Sequence, residues 1–286
     1  MTEYDLPPVP FALGMASSNG SPPFPLLVFD DGAAVALHSV RALATELGLP
    51  LPCDSVFALL QDWDRSIATL ATLAQALAYD DRARGHRGYF APEDLFHPER
   101  LVPETRQMFR LQGEQSVAVP VSSQGGAQSS LALDQSAQDS VPSFALCAVM
   151  GRMCRDAEPE AAAQAIAGWT LGVELQRPRQ SGVGRHGAPG SLVLGPVIVP
   201  AIFTGDLAGC SFRFATMGNV VAAGPLSRWS SDAAGRIAAL SREALLLPGD
   251  IIVFGEAPAE GTPPAGAVDM LEATAPGFGQ IKVSLR

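Results

Sequence analysis

The chain has 286 residues with a net charge of −10, and 17% of its residues are charged against 47% hydrophobic. That balance describes a well-packed globule of one large domain, or a small domain beside a larger one, and excludes a disordered chain. With 19 Lys and Arg against 29 Asp and Glu it has no surplus of cations for phosphate, so no nucleic-acid partner is expected, and no run approaches the roughly 20 apolar residues of a membrane helix.

The opening Met-Thr-Glu-Tyr-Asp-Leu-Pro-Pro has neither a basic start nor an apolar stretch, and the expected location is cytoplasmic. Residues 22–37 read as a hairpin turning at Asp30-Asp31-Gly32, since Asp-Gly between short apolar runs is a strong turn signal. Ser39 to Leu47 reads as a helix stopped by Gly48. Ser66 to Tyr79 carries apolar residues at Ile67, Leu70, Leu73, Ala74 and Leu77, a helical period. Residues 1–105 therefore form a small α+β N-terminal domain, 106–140 a linker and loop region, and 141–286 a β-rich domain. Within the linker, Ser122 to Ser140 is polar and is expected to be loop.

The β-rich part begins with the apolar run Phe144 to Met150, ending at Gly151. An Ala-rich helix over Glu158 to Ala167 and a strand over Trp169 to Leu175 follow. Further strands are predicted at 192–202, 210–216, 220–223, 251–254, 268–273 and 280–285, with one helix over 231–243 capped by Ser231 or Asp232. Pro248-Gly249 is a type II turn signal, because Pro presets φ and Gly supplies a positive φ after it. The fold class is α+β, mostly β, with a β-roll or sandwich core. The four cysteines are scattered, Cys147 and Cys154 lying too far apart for a CxxC zinc site, and all four read as buried thiols.

Five stretches carry a resemblance. Phe144 to Gly151, Ala165-Ile-Ala-Gly-Trp-Thr-Leu171, Leu194-Gly-Pro-Val-Ile-Val199, Leu246 to Gly261 and Pro276-Gly-Phe-Gly-Gln-Ile-Lys282 resemble, in order and spacing, the fumarylacetoacetate hydrolase family. The resemblance implies a mixed β-roll or sandwich behind a small N-terminal domain, and a homodimer. It implies a Mg²⁺ or Ca²⁺ site and action on 2-oxo or 1,3-dicarbonyl acids by C–C hydrolysis, decarboxylation, isomerisation or hydration.

The implied metal ligands are a Glu-x-Glu pair on the strand ending at Gly151 and an Asp on the strand after the Ala-rich helix. Here those positions hold Ser143, Ala145 and Glu174, so one acid of three survives. A hard dication wants oxygen ligands, and this set predicts no metal or only weakly bound Mg²⁺ or Ca²⁺. The family's Lys falls on His186, the Asp three residues later on Pro189, and the substrate-gripping Thr on Glu256. The Gly-x-Asn-Tyr segment has no counterpart near Met108-Phe-Arg-Leu-Gln-Gly-Glu-Gln115. Arg177, Arg179 and Arg185 are candidates to bind a carboxylate substrate bidentately.

Two functions follow from these residues. One is an enzyme with a rebuilt, metal-poor site acting on a small enolisable acid, with Glu174 or Glu256 as base and His186 or Arg185 as electrophilic partner. The alternative is a catalytically inactive descendant that keeps the fold for binding or scaffolding.

Overall fold

The computed structural model describes residues 8–17, 22–80, 83, 85, 100–113, 115–134, 137–176, 191–255 and 258–286. It opens with β1 (Phe11–Ala16), β2 (Phe24–Phe29) and β3 (Ala34–Ala36). The last two pair antiparallel across the expected turn, where Gly32 takes φ +80° and the Asp31 carboxylate accepts the Ala33 N–H at 3.0 Å. Three helices follow: α1 (Arg41–Glu46), α2 (Val56–Leu60) and α3 (Trp63–Tyr79). α3 starts at Trp63, ahead of the predicted Ser66, because that ring is buried against Gly151, where a Cβ would stand 2.8 Å from it.

The 106–140 stretch departs from its reading as linker and loop. It supplies β4 (Met108–Gln112), β5 (Gln115–Val119), β6 (Gln124–Gly125) and β7 (Ser130–Leu131). The chain continues with β8 (Val141–Met150), α4 (Pro159–Gln164), β9 (Ile166–Gln176), β10 (Leu192–Leu194) and β11 (Val197–Pro200). Then come α5 (Ala201–Thr204), β12 (Ser211–Thr216), β13 (Asn219–Pro225), α6 (Ser227–Ser230), α7 (Ala233–Glu243), β14 (Ile251–Gly255), β15 (Met270–Ala275) and β16 (Gly279–Leu285). The single strand expected over 192–202 is broken at Gly195-Pro196 into β10 and β11, since Pro has no N–H to give a ladder. Asp232 precedes α7 but makes no side-chain cap, so that expected capping bond is not formed.

One sheet of 11 strands runs β3-β2-β1-β11-β9-β8-β14-β4-β5, with β10 and β6 branching from β9; a second has 5 strands in the order β13-β12-β15-β16-β7. The polar β6 and β7 form because each adds to an existing strand, β6 to β10 and β7 to β16. Alternation along β8 and β9 divides the core. Leu146, Ala148, Leu171 and Val173 pack with Phe212, Phe214, Leu271 and Ile281 of the small sheet. Ala145, Cys147 and Val149 face the other way, onto Leu13, Leu27, Leu59 and Leu70 of the N-terminal elements.

Two close approaches hold this arrangement. Gly168 on β9 pairs with Pro200, and a Cβ there would stand 2.4 Å from the Val199 carbonyl oxygen. Gly249 takes φ +87° in the Pro248-Gly249 turn, closed by the Asp250 N–H donating to the Leu247 oxygen at 3.0 Å. The Asp250 carboxylate accepts N–H groups from Leu247 at 2.7 Å and Gln107 at 3.2 Å, tying the start of β14 to β4.

Gly168→Ala has no room to relax into backbone and is expected to lower unfolding stability by about 2–3 kcal/mol, read from the urea midpoint. Burial is the main cause that raises the Asp250 carboxyl from an ordinary 3.8 to about 6, against its hydrogen bonds and Arg106. The folded chain therefore holds that proton more tightly than the unfolded one. Stability gains as pH falls from above 6 towards 4, and Asp250→Asn removes that segment of the pH profile.

Candidate functional site

β8 and β9 set Ser143 opposite Glu174, Ala145 opposite Gly172 and Cys147 opposite Thr170, so these six positions share one face. β14 adds Gly255 opposite Ala145, and β4 adds Arg110 opposite Val253. Along β8 this face grades from Val149 and Cys147 in the core to Ser143 at a polar end.

Glu174 is 2% exposed and Arg110 1%, and they meet with Arg110 Nε 2.9 Å from Glu174 Oε2. The N–H does not point along that line, so the contact is Coulombic, not an aligned hydrogen bond. Small neighbours let the guanidinium reach this far: a Cβ on Gly255 would stand 3.2 Å from Arg110 Nη2 and 3.6 Å from Ala145 Cβ. Gln176 Nε2 donates to Ser143 Oγ at 2.8 Å and to Glu174 Oε2 at 3.3 Å. Cys147 lies beneath. Burial, and then the Glu174 carboxylate, push its thiol far up, which removes it as a nucleophile at neutral pH.

The row continues through β10, where Leu192 stands between Glu174 on β9 and Gln124 on β6. Gln124 is 4% exposed, and neither atom of its amide has a hydrogen-bond partner. Thr170 Oγ1 on the same face is also buried without one. Buried polar groups are normally paired, so these two mark the face as built for more than packing.

A family model described as fumarylacetoacetate (FAA) hydrolase C-terminal matches residues 100–286, well over half of the chain. The chain belongs to the fumarylacetoacetate hydrolase family. Its fold resembles maleylpyruvate hydrolase from Sphingobium sp. SYK-6, with TM-score 0.71 and 19% identity over 96% of this chain and 98% of that one. The same hydrolase in complex with manganese (II) ion and pyruvate gives TM-score 0.70 and 18% identity, at the same coverage. The 2-hydroxyhepta-2,4-diene-1,7-dioate isomerase from Mycobacterium marinum gives TM-score 0.61 and 16% identity over 96% of this chain and 98% of that one. At such identities the likeness is one of fold. No curated protein sequence matches the chain.

In this member of the family the described residues do not fit a divalent ion. No three His, Cys, Asp or Glu side chains come together among them, and Glu174 already faces a guanidinium. Asp134, Asp139 and Asp156, the other acids near in sequence, are all exposed. Ser143, Ala145 and Glu174 stand together on one face of β8 and β9. His186, Glu256, Arg177, Arg179, Arg185 and His97 lie outside the described residues. His38 is exposed, edge-on to Phe24. Cys210 is half-buried, unlike the three buried thiols beside which it was grouped.

Sequence reasoning missed Arg110 and Gln124. A signal for the first was present: in Met108-Phe-Arg-Leu111 the Arg shares the inward parity of Met108, where a strand buries its side chains. Gln124 sat in a polar stretch, and nothing in its surroundings distinguished it. Because its amide is buried without protein partners, Gln124→Leu is expected to raise the unfolding free energy by about 1 kcal/mol, read as a higher urea midpoint.

Proposed function

We propose that this protein acts on a small enolisable 2-oxo or 1,3-dicarbonyl acid at the Glu174 face, without a tightly held divalent ion. The observation that carries the reading is the Arg110–Glu174 pair on a face where Ser143 and Ala145 supply no further carboxylate. Proton transfer at an enolisable carbon needs a base and a fixed positive charge near the developing oxyanion. Glu174 and Arg110 provide one of each, reaching together from β9 and β4 across β8 and β14, and the Gln124 amide on the same row offers a donor and an acceptor. Relatives of the same fold named as hydrolases and isomerases of such acids support the substrate class. The family's reactions, C–C hydrolysis, decarboxylation, isomerisation and hydration, all pass through an enol or enolate.

A second reading has its own observation. Arg110 and Glu174 are almost fully buried, which suits a protein that binds an acid, or another chain, without turning it over.

The test is turnover of a panel of acylpyruvates and 2-hydroxydienoates, followed by enol absorbance, with chelator-treated protein and again with added Mn²⁺. The expected result is turnover that chelation leaves unchanged and that Glu174→Gln lowers at least ~10²-fold. Strict dependence on Mn²⁺ overturns the metal-free reading. Binding without turnover, seen as a ligand-induced rise in Tm, selects the second.

A further inference from the structure

Gln124 is a polar side chain that the fold holds without using. Its backbone is fixed on both sides. β6 pairs parallel to β10, with Leu192 opposite Gln124, and the Ser123 N–H closes the preceding turn by donating to the Pro120 oxygen at 2.9 Å. The side chain is 4% exposed, yet neither its amide nitrogen nor its amide oxygen has a hydrogen-bond partner. An amide buried in that state costs free energy that an apolar side chain of the same size avoids. We infer that Gln124 binds a second, uncharged oxygen of the substrate (keto, enol or hydroxyl) on the far side of the site from the enolisable carbon. The inference rests on the oxo-acid reading above and deepens it by narrowing the substrate class.

Position comes first. Gln124 on β6, Leu192 on β10 and Glu174 on β9 stand opposite one another, so the three side chains share a face. Two strand spacings, roughly 10 Å, separate the outer two backbones. Leu192 lies between them, 1% exposed. A ligand laid along this row meets a carboxylate, then an aliphatic side chain, then an amide. That order suits an enolisable carbon beside Glu174, a short apolar stretch over Leu192 and an oxygen at Gln124. Chemistry comes second. The amide has two N–H donors and one acceptor, so a hydroxyl or enol matches both kinds and a ketone matches the donors. A distal carboxylate fits less well, because Ser143, Glu174, Leu192 and Gln124 bring no cation to this row, and an unpaired buried charge is strongly disfavoured. The amide is shut off from solvent, so a ligand that reaches it displaces neighbouring side chains and makes its hydrogen bond without competition from water.

The experiment measures affinity by calorimetry for 2-oxo acids of increasing chain length, each paired with its ω-hydroxy counterpart, on the full chain and on Gln124→Met. Methionine keeps the volume and drops the hydrogen bonds. The urea midpoint of the variant is expected at or above that of wild type, which separates lost affinity from lost folding. In wild type the hydroxyl is expected to tighten binding about 10-fold at one chain length. In Gln124→Met that gain disappears while the parent acids bind as before. A gain that survives the substitution overturns the inference, and so does a hydroxyl without effect at every length. A wild type that binds none of these acids overturns it together with the oxo-acid reading. Turnover of an oxo acid with no hydroxyl gain removes the role of Gln124 alone, and a hydroxyl gain without turnover supports that role and removes the catalysis alone.

Discussion

The buried pair of Arg110 and Glu174 constrains much of the large sheet. Removing two opposite charges from water costs several kcal/mol per ion, and only close approach with good neighbours offsets it. Here that approach spans β9, β8, β14 and β4, so it is satisfied only if all four strands keep their order and register. It also dictates what lies beneath. Ala145 and Gly255 have to be small, and Ser143 and Gln176 have to be polar, because one Glu174 oxygen takes a hydrogen bond from Gln176 while that amide also holds Ser143. The apolar neighbours further along, Cys147 and Val149, seal the pair against the N-terminal elements and lower the dielectric around it.

That sealing links the two ends of the chain. β1 extends the large sheet through β11, and α3 lays Trp63 onto Gly151 at the end of β8. Core residues from the first hundred positions and from the β8–β9 face belong to one apolar cluster. The site is therefore roofed by the N-terminal elements from one side while the small sheet supports the opposite face.

Turn chemistry and side-chain period made most elements legible in the sequence. Asp31-Gly32, Gly48 and Pro248-Gly249 each announced a backbone conformation that few other residues adopt, and each is found there. The apolar period of α3 and the runs of β8 and β9 were equally plain, because one buried face suffices to write them. The 106–140 stretch was not legible for the opposite reason. β6 and β7 have two residues each and polar sequences, and they exist only because β10 and β16 offer edges to pair with. Partner strands far along the chain leave no local trace. Less of the site was legible: the resemblance put Ser143, Ala145 and Glu174 at its ligand positions, and that Ser143 and Glu174 stand opposite each other came only with the ladder. Arg110 was overlooked because its segment was compared with an absent motif, when its inward parity between Met108 and Leu111 was the physical clue.

Charge balance limits what this face can hold. Three carboxylates with no cation would repel one another across adjacent strands, and a dication with one carboxylate would lack ligands. With Ser143 and Ala145 uncharged, Glu174 is the carboxylate of this face among the described residues, and Arg110 stands 2.9 Å from it as a positive partner. A guanidinium presents planar N–H donors and no exchangeable coordination position, so among the described residues the polar end of this face is held by ion pairing and hydrogen bonding.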